Sequence, residues 1–319
     1  MKFASEFRQG KLAQGLLSKI RGASKRPARF MEFCGGHTVT IFRYGIRQAL
    51  PETITMLSGP GCPICVTSNA DLDKAIALAR IPGLIIATFG DAIRVPGSHT
   101  SLQVARAEGA DVRIVYSTLD ALRIAEENPG RKVVFLGIGF ETTAPTIAAS
   151  VLQAKEDGLA NYSVLSLHKL CPPVIKALLD SGEVVLDGFV CPGHVSAITG
   201  SKAWEFIAHD YGISCVVAGF EPLDVLQSID MLVAQVEREE PKVEIAYRRG
   251  VQPEGNTEAL RLMAEIFEPC SSEWRGMGTI PNSGLRIKNA YGHFDAEKVF
   301  EIDPGPTREP VGCICGEIL

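Results

Sequence analysis

Short β-branched runs recur along this chain between stretches of helical spacing, and that alternation constrains the fold more than any single motif. Thr53 to Leu57, Leu84 to Thr88, Val112 to Tyr116, Val133 to Leu136, Ser163 to Leu167, Gly188 to Cys191 and Cys215 to Ala218 read as strands. Between them Ala70 to Ala79, Leu119 to Glu127, Thr143 to Gln153 and Leu223 to Val236 carry helical spacing, several with Asp, Asn or Pro near the first turn. Parallel strands need crossover connections of this kind, so the expected class is α/β with mostly parallel sheets.

A chain of 319 residues exceeds the size at which one core keeps growing. The expected architecture is two similar parallel-sheet α/β subdomains around a cleft, residues 1–118 and 119–238, plus a loop-rich C-terminal domain, residues 239–319. Two short echoes suggest the duplication: Cys34-Gly-Gly-His37 recurs as Cys191-Pro-Gly-His194, and Gly139-Phe-Glu141 as Gly219-Phe-Glu221. After Glu240 the strand pattern fades, and the Gly, Pro and Trp of Trp274 to Gly284 read as loop.

No apolar run approaches the roughly 18 to 20 residues of a membrane-spanning helix. The N-terminal stretch mixes charges into an amphipathic pattern with no apolar segment and cleavage site of a secretory signal, so the expected location is the cytoplasm. In that reducing compartment the nine cysteines are expected to serve metal or redox chemistry where they fall in motifs. A net charge of −5 gives no reason to expect nucleic acid. There is no phosphate-binding G-x-x-x-x-G-K-[ST], and Gly137-Ile-Gly139 lacks the third glycine of a dinucleotide fingerprint.

Cys34-Gly-Gly-His37 offers a soft thiolate and an imidazole across two glycines that let the backbone turn tightly, which is half of a metal site. The bland alternative is a small buried cysteine and a histidine capping a helix. Cys62-Pro-Ile-Cys65 follows a strand and precedes a helix, the setting of a redox-active C-x-x-C; the same spacing is also half of a structural zinc site. His168-Lys-Leu-Cys171 and Cys191-Pro-Gly-His194 fall at the C-terminal ends of strands, the edge at which open α/β sheets gather ligands. His168, Cys191 and His194 are therefore expected at the cleft, with ordinary turn chemistry as the competing reading. Glu141 and Thr142 join them from a strand-to-helix turn, where helix capping is the simpler explanation. Cys215 lies inside a strand and reads as core.

Taken in order, FMEFCGGHT at Phe30 to Thr38, LSGPGCPICVT at Leu57 to Thr67, GFETTAP at Gly139 to Pro145, HKLCPP at His168 to Pro173, GFVCPGH at Gly188 to His194 and WRGMGTIPNSG at Trp274 to Gly284 resemble the HypD family of [NiFe]-hydrogenase maturation factors. The resemblance implies a scaffold that, with a small HypC-type chaperone and a HypE-type cyanide donor, holds the iron receiving two cyanides and one carbon monoxide before delivery to the hydrogenase large subunit. It implies Cys34 as the iron-binding thiolate with His37 beside it, and Cys62 with Cys65 as the redox pair. It also implies a [4Fe-4S] cluster on four C-terminal cysteines. Of those ligands this chain carries the Cys315 position with Cys313 beside it, and Cys270 as a further thiol, so the set is incomplete and the expectation is a fragment that holds no stable four-thiolate cluster. Two rival functions fit the residues alone: a free-standing thiol–disulfide oxidoreductase using Cys62 and Cys65, and a zinc-stabilised interaction module.

Overall fold

The computed structural model describes residues 6–308. Its strands are β1 (Ala28–Glu32), β2 (Ile54–Ser58), β3 (Ile85–Thr88), β4 (Asp111–Ile114), β5 (Val133–Gly139), β6 (Tyr162–His168), β7 (Gly188–Pro192), β8 (Ser214–Ala218), β9 (Val243–Ile245), β10 (Phe267–Trp274) and β11 (Gly278–Ile287). The fold is α/β with two parallel sheets, one ordered β2-β1-β7-β8-β9 and the other β4-β3-β5-β6.

The chain forms two compact units that interleave. The first runs through Cys62 and resumes over Val174–Thr257; the second takes Pro63–Pro173 and resumes at Glu258. β1 and β2 thus share a sheet with β7, β8 and β9, although the sequence reading divided these segments among 1–118, 119–238 and 239–319. Strand partnership is decided by packing between distant segments, which local spacing does not encode.

In the first unit the sheet packs against two helices, Gly10–Ala23 and Pro222–Arg238. Phe30, Met56, Val190 and Val216 meet Ile20, Val225 and Ile229 in one core. The central strands β7 and β8 are buried at every position because both faces of the sheet are covered there. In the second unit Ile86, Val134, Leu136 and Leu165 point to one face, where the helix Asn69–Ala79 contributes Leu72, Ile76 and Leu78. Ser68 starts that helix by accepting the Asp71 N–H at 3.1 Å.

The stretch expected to be loop is an antiparallel hairpin, β10 paired with β11 and broken by a bulge between Cys270 and Ser272. Gly276 and Gly278 close it with φ of 77° and 74°, angles at which a β-carbon clashes with the backbone. Trp274 is buried, donates its indole N–H to Ser283 Oγ at 2.8 Å and stacks on Phe140. Lys169 follows β6 and is fully buried, its Nζ held by Asp71 at 2.9 Å, Ser272 Oγ at 2.5 Å and the Glu273 carbonyl at 2.8 Å. The cation ties the hairpin to the start of the Asn69–Ala79 helix, so this C-terminal segment belongs to the second unit's core rather than to a separate domain. Among the described residues no helix is long and apolar enough to cross a membrane.

Candidate thiol and metal site

Cys34 sits where β1 ends and the helix Gly35–Arg43 begins, in extended conformation at the N-cap. N–H groups of Gly36 and His37 point at its sulfur and favour the thiolate, but burial outweighs them and pushes the Cys34 thiol up, with the neighbouring Glu32 and Cys62 acting in the same direction. Such a thiol keeps its proton until a cation compensates for the missing solvent.

His37, in the first turn of that helix, is completely buried. Its Nε2 lies 3.0 Å from the Gly219 carbonyl, an acceptor only, so Nε2 carries the proton and donates it. Nδ1 is therefore a bare lone pair, and it is buried with no hydrogen-bond partner. Burial lowers the imidazole pKa to about 4, so the ring is neutral and suited to a metal.

Two further groups fix this corner. Glu32, at the end of β1, is 1% exposed; its Oε2 accepts the Cys34 N–H at 3.0 Å and its Oε1 accepts the Thr38 hydroxyl at 2.6 Å. Burial raises its pKa although those hydrogen bonds oppose the shift. Phe220 stacks on His37 at 4.7 Å between centroids and on the exposed His194 at 3.7 Å. The close packing explains Gly36, where an added β-carbon would stand 2.7 Å from the Phe220 ring.

Cys62 reaches Cys34 through a loop laid across the end of β1. Gly59 N–H donates to the Glu32 carbonyl at 2.6 Å and Gly35 N–H to the Gly61 carbonyl at 3.2 Å. A β-carbon on Gly61 would come within 2.1 Å of the Phe33 carbonyl carbon and 2.3 Å of Cys34 N, so only glycine permits the approach. Cys65 belongs to the second unit, in a single helical turn, Pro63–Val66, that packs on β5. That turn is pinned by the Thr67 hydroxyl, which donates to the Pro63 carbonyl at 2.7 Å, and by the Val66 carbonyl, which accepts Arg275 N–H at 2.9 Å.

The remaining expected residues divide. Cys191 is fully buried inside β7, with a thiol pushed far up by burial and by the adjacent Cys215; it is a core residue, which corrects its expected place at a cleft. Parallel pairing of β7 with β8 sets both sulfurs on one covered face. His194, expected with it, instead joins the aromatic stack around His37. In the second unit Glu141 is buried just beyond β5 with Thr142 half-buried beside it. Glu141 does not cap the helix Ala144–Glu156 that follows it; its Oε1 accepts Cys171 N–H at 2.8 Å, at the start of the helix Cys171–Asp180. His168 is buried at the end of β6, where its Nδ1 donates to Ser166 Oγ at 3.0 Å while that hydroxyl donates to the Leu285 carbonyl. Burial, with Lys169 nearby, brings its pKa to about 3 and keeps the ring neutral.

Cys313 and Cys315 lie outside the described residues. Cys270 is half-buried on β10, and among the described residues no group of three or more His, Cys, Asp or Glu side chains is placed to hold a metal ion. The described residues therefore do not fit a four-thiolate cluster, and no step below runs through one. Sequence reasoning missed Glu32, Gly61 and Phe220. The signal for Glu32 was a lone acid closing an apolar strand immediately before a Gly-rich cysteine turn.

The family described as "Hydrogenase formation hypA family", labelled HypD, matches residues 11–319. Curated relatives agree over the whole chain. The hydrogenase maturation factor HypD of Rhodobacter capsulatus is 48% identical, with 100% of this chain and 88% of that protein covered. The HypD of Azotobacter vinelandii is 47% identical, covering 100% and 86%, and that of Escherichia coli K12 44%, covering 100% and 88%.

Proposed function

The chain belongs to the HypD family, and from that membership and the geometry of its thiol corner we propose that it is the scaffold on which the iron of a [NiFe]-hydrogenase acquires its diatomic ligands. The observation that carries the reading is the loop Gly59–Cys62 pressed onto the end of β1, which sets a second thiol beside a half-buried Cys34 next to a neutral histidine with a bare buried Nδ1. The iron is cargo. Cys34 supplies the soft thiolate that suits iron with strong-field ligands, and His37 stands beside it as a nitrogen donor. Two donors do not complete a coordination sphere. The rest comes from the cyanides, the carbon monoxide and a HypC-type chaperone, with a HypE-type protein as cyanide donor.

Support for a docking partner comes from the helix that carries His37, which exposes Val39 and Phe42 one turn apart and Tyr44 just beyond, with Phe42 86% exposed. Glu32 holds the Cys34 amide and the Thr38 hydroxyl, so the turn is formed before metal arrives. The thiol proton is displaced when iron binds.

Cys62 and Cys65 serve as the dithiol that moves electrons during ligand attachment. Mass spectrometry of alkylated protein across graded dithiol–disulfide buffers is expected to show the two cysteines oxidising together and reversibly. Both remaining reduced under oxidising buffer would remove the redox role. A protein that reduces general disulfides with turnover and never retains iron would instead be the free-standing oxidoreductase.

A further inference from the structure

We propose that Glu141 is the proton-holding residue for thiol–disulfide exchange at Cys65, giving the second unit its own acid–base group for the chemistry of the Cys62/Cys65 pair. This rests on the redox reading above.

Glu141 is 2% exposed, and a carboxylate in such a place normally has a cation or a full set of donors. Glu141 has neither. Its Oε1 accepts one backbone N–H, from Cys171, and its Oε2 is buried with no hydrogen-bond partner. The Cys171 thiol also hydrogen-bonds to the carboxyl, so a sulfur already lies against it. Burial raises the pKa to about 7, so near neutral pH the group both gives and takes a proton.

The helical turn carrying Cys65 packs on β5, and Glu141 stands two residues beyond the end of that strand. Phe140, next to Glu141, stacks on Trp274, which bridges to Thr67 two residues after Cys65. The charged and titratable groups on the surrounding elements are otherwise committed. His168 is neutral, Lys169 is paired with Asp71, Arg275 donates to Asn69, and Cys270 has its thiol raised by burial. None of them replaces the carboxyl as a proton store.

The exchange balances as follows. When Cys62 is joined to the thiol of an exchanging partner as a mixed disulfide, Cys65 gives its proton to the Glu141 carboxylate and its sulfur attacks the Cys62 sulfur. The Cys62–Cys65 bond forms, the bond to the partner breaks, and the partner leaves as thiolate with that electron pair. In the reverse direction a reduced partner thiolate attacks Cys62, and the departing Cys65 sulfur takes the proton back from Glu141.

The test uses the full chain with Cys34, Cys270, Cys313 and Cys315 replaced by serine, which leaves only the buried Cys171, Cys191 and Cys215 beside the pair, and it is loaded on Cys62 with an aromatic disulfide whose thiolate is coloured. Release of the second thiolate reports the attack by Cys65. In the parent the rate should rise with pH through an inflection near 7, and Glu141→Gln, whose amide oxygen still accepts the Cys171 N–H, should slow it by about tenfold and abolish that inflection. Equal rates and equal pH profiles would overturn this inference while leaving the redox pair standing. No second release from the parent would remove both.

Unfolding supplies an independent readout if the glutamine variant is perturbed. A carboxyl whose folded-state pKa is raised from 4.5 to about 7 contributes stability that is complete below 4.5 and lost as pH rises through 7. The parent's stability relative to Glu141→Gln should therefore fall across that window, and a constant difference would contradict the assignment.

Discussion

Replacing Cys34 by alanine is expected to bring iron in the purified complex down to the level of an iron-free control while the protein remains folded. The sulfur is half-buried at a helix N-cap, where the N–H groups of Gly36 and His37 point at it, so its removal costs those contacts but takes little packing from the core. A loss of about 1 kcal/mol or less is the ordinary scale for such a site, a shift of a few degrees in Tm. The lost donor is a different matter, because Cys62, the other thiol at this corner, belongs to the proposed redox pair with Cys65, and the carboxylate of Glu32 is occupied by the Cys34 amide and Thr38. Iron measured by elemental analysis and melting followed by circular dichroism separate the two effects. Wild-type iron content in the alanine variant would show that the metal is held elsewhere.

The second large effect is expected from a single methyl group. In Gly61→Ala the new β-carbon would lie 2.1 Å from the Phe33 carbonyl carbon and 2.3 Å from Cys34 N, both backbone atoms that cannot rotate away. The loop must lift from β1, which breaks the bond from Gly35 N–H to the Gly61 carbonyl and carries Cys62 away from Cys34. We expect iron retention to fall on the order of 10- to 100-fold, the scale found when groups supporting a metal ligand are disturbed. Gly15→Ala is the matched control, since nothing lies within 4 Å of its added carbon in the helix Gly10–Ala23. That control should gain roughly 0.5–1 kcal/mol. If both variants bind iron like the parent, the packing of the Gly59–Cys62 loop on β1 is irrelevant to the site.

The parallel strands were legible because covered strands are nearly all apolar: Val133, Val134, Phe135 and Leu136 announce β5 without context. β1 was not, since Ala28-Arg-Phe-Met-Glu32 carries two charges, and only the structure shows Arg29 facing out and Glu32 satisfied by the cysteine turn. β9 is three half-buried residues at a sheet edge, too short for periodicity. β10 and β11 alternate polar and apolar positions around Pro269, Pro281 and three glycines, so the turn signals hid the hairpin. The echo of Cys34-Gly-Gly-His37 in Cys191-Pro-Gly-His194 was real in position but not in meaning. Both motifs close neighbouring strands of one sheet, where both histidines stack on Phe220 while Cys191 is sealed in the core. Spacing paired Cys34 with His37 and Cys62 with Cys65, but it could not show that a glycine at 61 presses the loop onto the strand end, because close approach between backbones leaves no signal beyond the glycine itself.

Anaerobic co-purification of this chain with the proposed HypC-type chaperone, followed by elemental analysis and infrared spectroscopy of the complex, tests the central proposal most directly. We expect iron together with C≡N and C≡O stretching bands, both lost with Cys34→Ala. Zinc in place of iron, or iron without diatomic bands under conditions that supply every maturation partner, would contradict the proposed scaffold function.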